Sequence, residues 1–159
     1  MKTITSILLL LTIGCWTLFA SSENKKEKIC ITEQEYEIYH LLGVGDYQNE
    51  TTPYPFSERL DNRFPSISSE TVADYNEKNS KTYLLRCVLE KDRKQRLTKT
   101  YGGMINAHFS RIGFNKDETE ALVYVGWSGV GNTCESDFVH LKKENGKWTI
   151  AAKSMVVIC

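Results

Sequence analysis

Hydrophobic positions along this chain fall into three patterns. Residues 7–19 are an almost unbroken apolar run, residues 30–79 mix short helix-like patterns with proline-marked stretches, and residues 108–158 carry the two-residue alternation of strands. In the middle region, Thr32 and Glu35 stand at capping-box spacing and Ile31 is placed to staple onto Tyr36, which predicts a helix over 33–42 with Gly43 ending it. Tyr36, Tyr39 and Leu42 or Leu41 form its expected buried side. Ser68 caps a second predicted helix ending near Asn79, with Val72 and Tyr75 facing inward. Between them, residues 44–65 hold Gly45, Pro53, Pro55 and Pro65, a long irregular segment of the kind that carries function when it occurs in a compact domain.

The last third predicts sheet. Residues 108–114 and 121–127 read as strands joined by the polar turn Asn115-Lys116-Asp117-Glu118-Thr119, and residues 138–143 and 147–158 flank Asn145-Gly146, a type I′ hairpin signal. With that dipeptide at the tip, Leu141 opposes Ile150, Lys143 opposes Trp148, Val139 opposes Ala152 and Cys134 opposes Val157. One face is then apolar. The other presents Phe138, His140, Lys142, Thr149, Ala151 and Lys153 as a mixed surface. The fold class is α+β: a four-stranded antiparallel meander, five-stranded if residues 82–89 add an edge, with two N-terminal helices packed on one face.

The N-terminus changes the picture from a domain to an exported domain. Lys2, the apolar run, and Phe19-Ala20 followed by Ser21-Ser22-Glu23 have the layout of a signal peptide cleaved after Ala20. The expected division is residues 1–20 as signal, 21–29 as a disordered tail and 30–159 as one domain. Gly14-Cys15 offers the alternative of a lipoprotein anchored at Cys15, although Thr12 stands where a lipobox has an aliphatic residue. Cleavage at Ala20 leaves Cys30, Cys87, Cys134 and Cys159, an even set without a Cys-x-x-Cys pair, which reads as two disulfides in a secreted or periplasmic protein. Cys134 with Cys159, diagonal neighbours in the hairpin register, and by elimination Cys30 with Cys87 are the expected pairs.

Charge adds little. The mature chain carries 19 basic and 20 acidic side chains, which leaves no strong nucleic-acid footprint. Arg93, Lys94 and Arg96, with Lys91 and Lys99 beside them, form a small basic run suited to a polyanion, and Asn49-Glu50-Thr51 is a glycosylation sequon if the source is eukaryotic. Gly126-Trp127-Ser128-Gly129-Val130 fails as a nucleophile elbow at Val130 and ends a strand of a meander. His40, His108 and His140 have no metal-ligand spacing, and Asp137 and His140 project from opposite faces of one strand. Asn115-x-Asp117-x-Thr119-Glu120 lacks the glycine and the bidentate glutamate of a calcium loop and reads as an Asx-type turn. No cofactor is expected.

The stretch from Phe109-Ser110-Arg111-Ile112-Gly113-Phe114-Asn115 through Thr119-Glu120-Ala121-Leu122-Val123-Tyr124-Val125 resembles the hallmark of a family of small exported bacterial proteins of unassigned function. Leu141 to Trp148, a Leu-Lys-Lys-x-x-Gly-Lys-Trp hairpin, and Glu70-Thr71-Val72-Ala73-Asp74-Tyr75 resemble the rest of its pattern. The resemblance implies export, a bacterial source and this architecture, and supplies no catalytic residue.

The leading functional reading is a non-enzymatic exported domain that binds another protein or a cell-envelope component. Tyr47, Tyr54 and Phe56, aromatic residues among prolines, are its candidate anchors, the equal alternative being that these rings fold back and pack on the domain, with Arg93, Lys94 and Arg96 as a second candidate patch. The alternatives are an envelope hydrolase or transferase with an unidentified site, and an immunity or inhibitor protein.

Overall fold

The computed structural model describes residues 26–44, 50–57, 62–85, 104–129 and 134–158. The expected signal peptide, the expected cleavage site and Cys15 lie outside them. Helix α1, Glu33–Leu41, forms where the capping signals place it: Thr32 Oγ1 accepts from the Glu35 amide at 3.2 Å and Glu35 Oε2 accepts from the Thr32 amide at 2.9 Å. Gly43, at φ 69°, turns the chain out of the helix, and its amide and that of Val44 satisfy the carbonyls of His40 and Tyr39. The buried side of α1 differs from expectation. It is Glu35, Ile38 and Tyr39, while Leu41 is 46% exposed. The expected stripe avoided a glutamate that the fold buries.

Helix α2, Ser69–Lys78, is capped by Ser68 as expected and buries Thr71 and Tyr75 completely. Strand β1, Glu27–Ile29, lies inside the segment expected to be disordered. It pairs in parallel with β2, Tyr83–Leu85, and the Lys81–Glu27 ion pair ties the two together. Three strand residues with no alternation leave no signature in the sequence, since their pairing partner is more than fifty positions away. The edge strand expected at 82–89 therefore joins a separate two-stranded sheet, not the meander.

The main sheet contains β3 (Met104–Phe109), β4 (Gly113–Phe114), β5 (Glu120–Gly129), β6 (Cys134–Glu144) and β7 (Lys147–Ile158) in the order β3-β5-β6-β7, with β4 also on β5. β3 and β4 are the expected first strand, interrupted at residues 110–112. Ser110 makes the interruption tolerable: its amide donates to the Tyr124 carbonyl and its hydroxyl accepts from the Tyr124 amide at 2.9 Å, so a side-chain oxygen replaces a backbone carbonyl in the ladder. The freed Ser110 carbonyl accepts from the Tyr39 hydroxyl at 2.8 Å.

Both predicted turns are present. Asn115 Oδ1 accepts from the amides of Thr119 and Glu120, so the oxygen that a calcium reading would have used is spent on the turn. Asn145 and Gly146 both have positive φ, as a type I′ turn requires. Register follows the turn for Lys143–Trp148 and Leu141–Ile150, then departs from it. A bulge leaves Ala151 unpaired, so Val139 opposes Lys153 and not Ala152; a second shift near Val156 sets Ser136 against Val157 and Glu135 against Ile158. Cys134 thus no longer opposes Val157. Cys30 and Cys134 are both disulfide-bonded; Cys87 and Cys159 lie outside the described residues.

The sheet is covered on both faces, which corrects the expectation of two helices on one side. Along β5, Ala121, Val123 and Val125 pack with Ile38 and Tyr39 of α1, Val139, Leu141 and Trp148. The alternate residues Leu122 and Tyr124 pack with Tyr75 of α2, Phe56, Phe64 and Phe138. Phe138 and His140, expected at a mixed surface, are therefore fully buried. Gly113 sets the closeness of the second layer: a Cβ there would lie within 2.5 Å of Tyr75 Cα and N.

Candidate functional site

The structure gathers its buried polar groups where α2 meets the sheet. Glu120 opens β5, held by the Asn115 turn, and points to the α2 face beside His140 of β6. Its Oε2 accepts from the Ser68 amide at 2.9 Å and from the Thr71 hydroxyl at 2.7 Å, and its Oε1 lies 2.9 Å from His140 Nε2. Burial pushes the carboxyl up, but hydrogen bonds from Ser68, Thr71 and His140 outweigh it and bring the pKa down to about 2. The carboxylate is ionised, so His140 donates through Nε2, and Nδ1 is left buried without a partner among the described residues. Phe64 stands perpendicular to the imidazole at 6.3 Å. Carboxylate, imidazole and two hydroxyls are the ingredients of acid–base chemistry, yet here the imidazole is 0% exposed, the Ser68 amide, the Thr71 hydroxyl and His140 Nε2 are spent on the carboxylate, and the Ser68 hydroxyl bonds Thr71 Oγ1. Chemically the cluster is a clamp joining the N-terminus of α2 to the sheet.

Two further clamps fix the rest of α2. Asp74 Oδ2 accepts from the Phe114 amide at 2.7 Å, and Asn79 accepts from the Arg111 amide and donates to the Arg111 carbonyl. The Arg111 side chain reaches the other layer, where Nε meets buried Glu35 at 2.9 Å. Ser110, Arg111, Gly113, Phe114 and Asn115 are thus each explained by packing or backbone satisfaction.

Between α2 and the turn after β4 lies a surface hollow of about 380 Å³ lined by Glu70, Asp74, Lys78, Phe114, Asn115, Lys116 and Glu118. Carboxylates around an aromatic floor suit an ammonium ligand, but the protein supplies its own: Lys78 Nζ pairs with Asp74 at 2.7 Å and stands 5.1 Å over the Phe114 ring. Among the described residues no cluster of His, Cys, Asp and Glu could hold a metal ion.

The aromatic anchors expected in the long loop turn inward. Phe56 is 5% exposed and packs edge-on to Phe138, and half-buried Tyr54 stacks on Tyr124 at 4.4 Å. Phe56→Ala is expected to lower unfolding stability by about 3–5 kcal/mol, as for any buried aromatic; a Tm equal to that of the unmodified protein would show the ring to be free. Tyr47, Asn49, Arg93, Lys94 and Arg96 lie outside the described residues. Ser128 remains in strand β5, 3.3 Å from His108 Nε2, a pairing that sequence reasoning did not find because the two are diagonal neighbours across β3 and β5. His40 is exposed on α1 beside Tyr36. No helix among the described residues is long and apolar enough to cross a membrane.

No protein family, curated protein or solved structure matches this chain.

Proposed function

We propose that the chain is an exported bacterial domain that acts by binding a protein or a cell-envelope component, without turning over a substrate. The observation that carries this reading is the Glu120–His140 network: the residues best equipped for catalysis are sealed between α2 and the sheet, with the carboxylate saturated by three donors. An immunity or inhibitor protein is one form such binding would take. A hydrolase reading has one observation in its favour, the Ser128–His108 contact. Ser128 is a poor nucleophile there, since its strand is paired on both sides and its amide cannot serve an oxyanion. The two readings separate cleanly. Photo-crosslinking in cells from exposed Leu41, Ile150 and Met155 should give a discrete partner adduct, and a fluorophosphonate probe should leave the purified mature protein unlabelled. Labelling of Ser128 that disappears in His108→Ala would overturn the binding reading.

Export entails the signal cleaved after Ala20 and two disulfides, Cys134 with Cys159 and Cys30 with Cys87. The bulged register supports the first pair: Glu135, the neighbour of Cys134, stands opposite Ile158. Peptide mapping without reduction should recover a 134–159 linked peptide and an intact mass beginning at Ser21. A 87–134 peptide, or a diacylated mass at Cys15, would reject these assignments.

A further inference from the structure

The outer edge of β7 is unpaired among the described residues, and it is twelve residues long. Such an edge presents a row of backbone donors and acceptors to any second strand. Counted from the Asn145-Gly146 turn through the first bulge, Met155 falls at a position whose N–H and C=O turn away from β6. That carbonyl is not open: Arg63 Nη1 donates to it at 2.8 Å and to Ser154 Oγ at 3.0 Å. Arg63 is carried by the segment that crosses the α2 face of the sheet, so its neighbour Phe64 is anchored in the core while the guanidinium reaches round to the edge. The remainder of the strand carries Lys147 and Lys153 and the two bulges, which spoil a straight run for a partner.

We propose that Arg63 is an edge guard, a contact that blocks β7 of a second copy of this chain from adding antiparallel to β7. Ile150, 50% exposed, and Met155, 44% exposed, are the apolar side chains that this addition would bury. The inference is independent of what the domain binds. Sedimentation velocity on the mature, oxidised protein tests it. Arg63→Met keeps the aliphatic stem and removes the donors; it should leave Tm unchanged, since an exposed arginine contact contributes little to stability, and should produce a concentration-dependent dimer where the unmodified protein is monomeric. Adding Ile150→Pro, whose missing N–H belongs to an outward-facing position and not to the β6 ladder, should restore the monomer. An Arg63→Met protein that stays monomeric at every concentration overturns the proposal, as does a dimer that Ile150→Pro fails to dissociate. Should Arg63→Met fold poorly, Arg63→Ala, which removes the Nη1 donor of both contacts together with its stem, is expected to give a dimer of the same kind, and a strictly monomeric Arg63→Ala protein with native Tm counts against the guard.

Discussion

Gly113→Ala should cost the protein most of its stability. The added methyl would stand within 2.5 Å of Tyr75 Cα and N, backbone atoms in the interior of α2 that have no rotamer by which to yield. Relief requires that α2 lift from the sheet or that β4 leave β5. Lifting α2 would expose Tyr75, now 0% accessible, and would part Asp74 from the Phe114 amide and Asn79 from Arg111. Ordinary overpacking costs about 1–3 kcal/mol, and a clash with a backbone should exceed that range. Gly146→Ala is the control. Its φ of 77° strains any side chain, but nothing lies within 4 Å, so a loss of about 1 kcal/mol is expected from backbone strain alone. Urea titration of the two variants measures the difference, and a Gly113→Ala protein within about 1 kcal/mol of the parent would show that the layers are not in contact there.

Glu120→Ala is the second large effect. It strands the Ser68 amide, the Thr71 hydroxyl and His140 Nε2–H in a buried site, and removal of one member of such a charged network typically costs about 3–5 kcal/mol. Its pH dependence identifies the cause. The carboxyl is lowered from 4.5 to about 2 in the folded protein, so the unfolded chain takes up its proton first as the solution is acidified. The stabilisation is therefore whole above about pH 5 and is lost as pH falls through 4.5 toward 2; at about 1.4 kcal/mol per unit it amounts to about 3 kcal/mol at neutrality. The stability gap between the parent and Glu120→Gln should close as pH falls from 5 toward 2. A gap that does not narrow on acidification would mean that the carboxylate is not held ionised by these donors.

The buried charges explain where sequence reading went astray. Glu35, Glu120 and His140 look like surface residues by type: the sequence reads Glu35 as a capping partner, Glu120 as part of a turn and His140 as part of a mixed surface. Each is buried because a distant partner satisfies it: Arg111 lies 76 positions from Glu35, Thr71 lies 49 from Glu120, and His140 lies 20 from Glu120. Periodicity cannot supply such partners. Once Glu35 is admitted to the interior, the buried stripe of α1 becomes Glu35, Ile38 and Tyr39. Tyr54 and Phe56 of the long loop turn inward for a related reason. Tyr54 and Phe56 have the composition of recognition residues, but the α2 face of the sheet needed a cover, and Phe56 and Phe64 fill it around Phe138.

The sequence alone determined what depends on near neighbours. The Thr32–Glu35 box and the Ser68 cap start two helices, Gly43 ends the first, Asn115 and Asn145-Gly146 shape two turns, and the β-rich runs between them become an antiparallel meander, because each of these choices is settled by hydrogen bonds within a few residues. Tertiary structure decided the rest: which face each helix covers, the break at Ser110, the two bulges of β7, the parallel pairing of β1 with β2, and the conversion of Glu120 and His140 from plausible chemistry into a clamp. Those features turn on desolvation, which is a property of everything packed around a residue and so is not written at any single position in the chain.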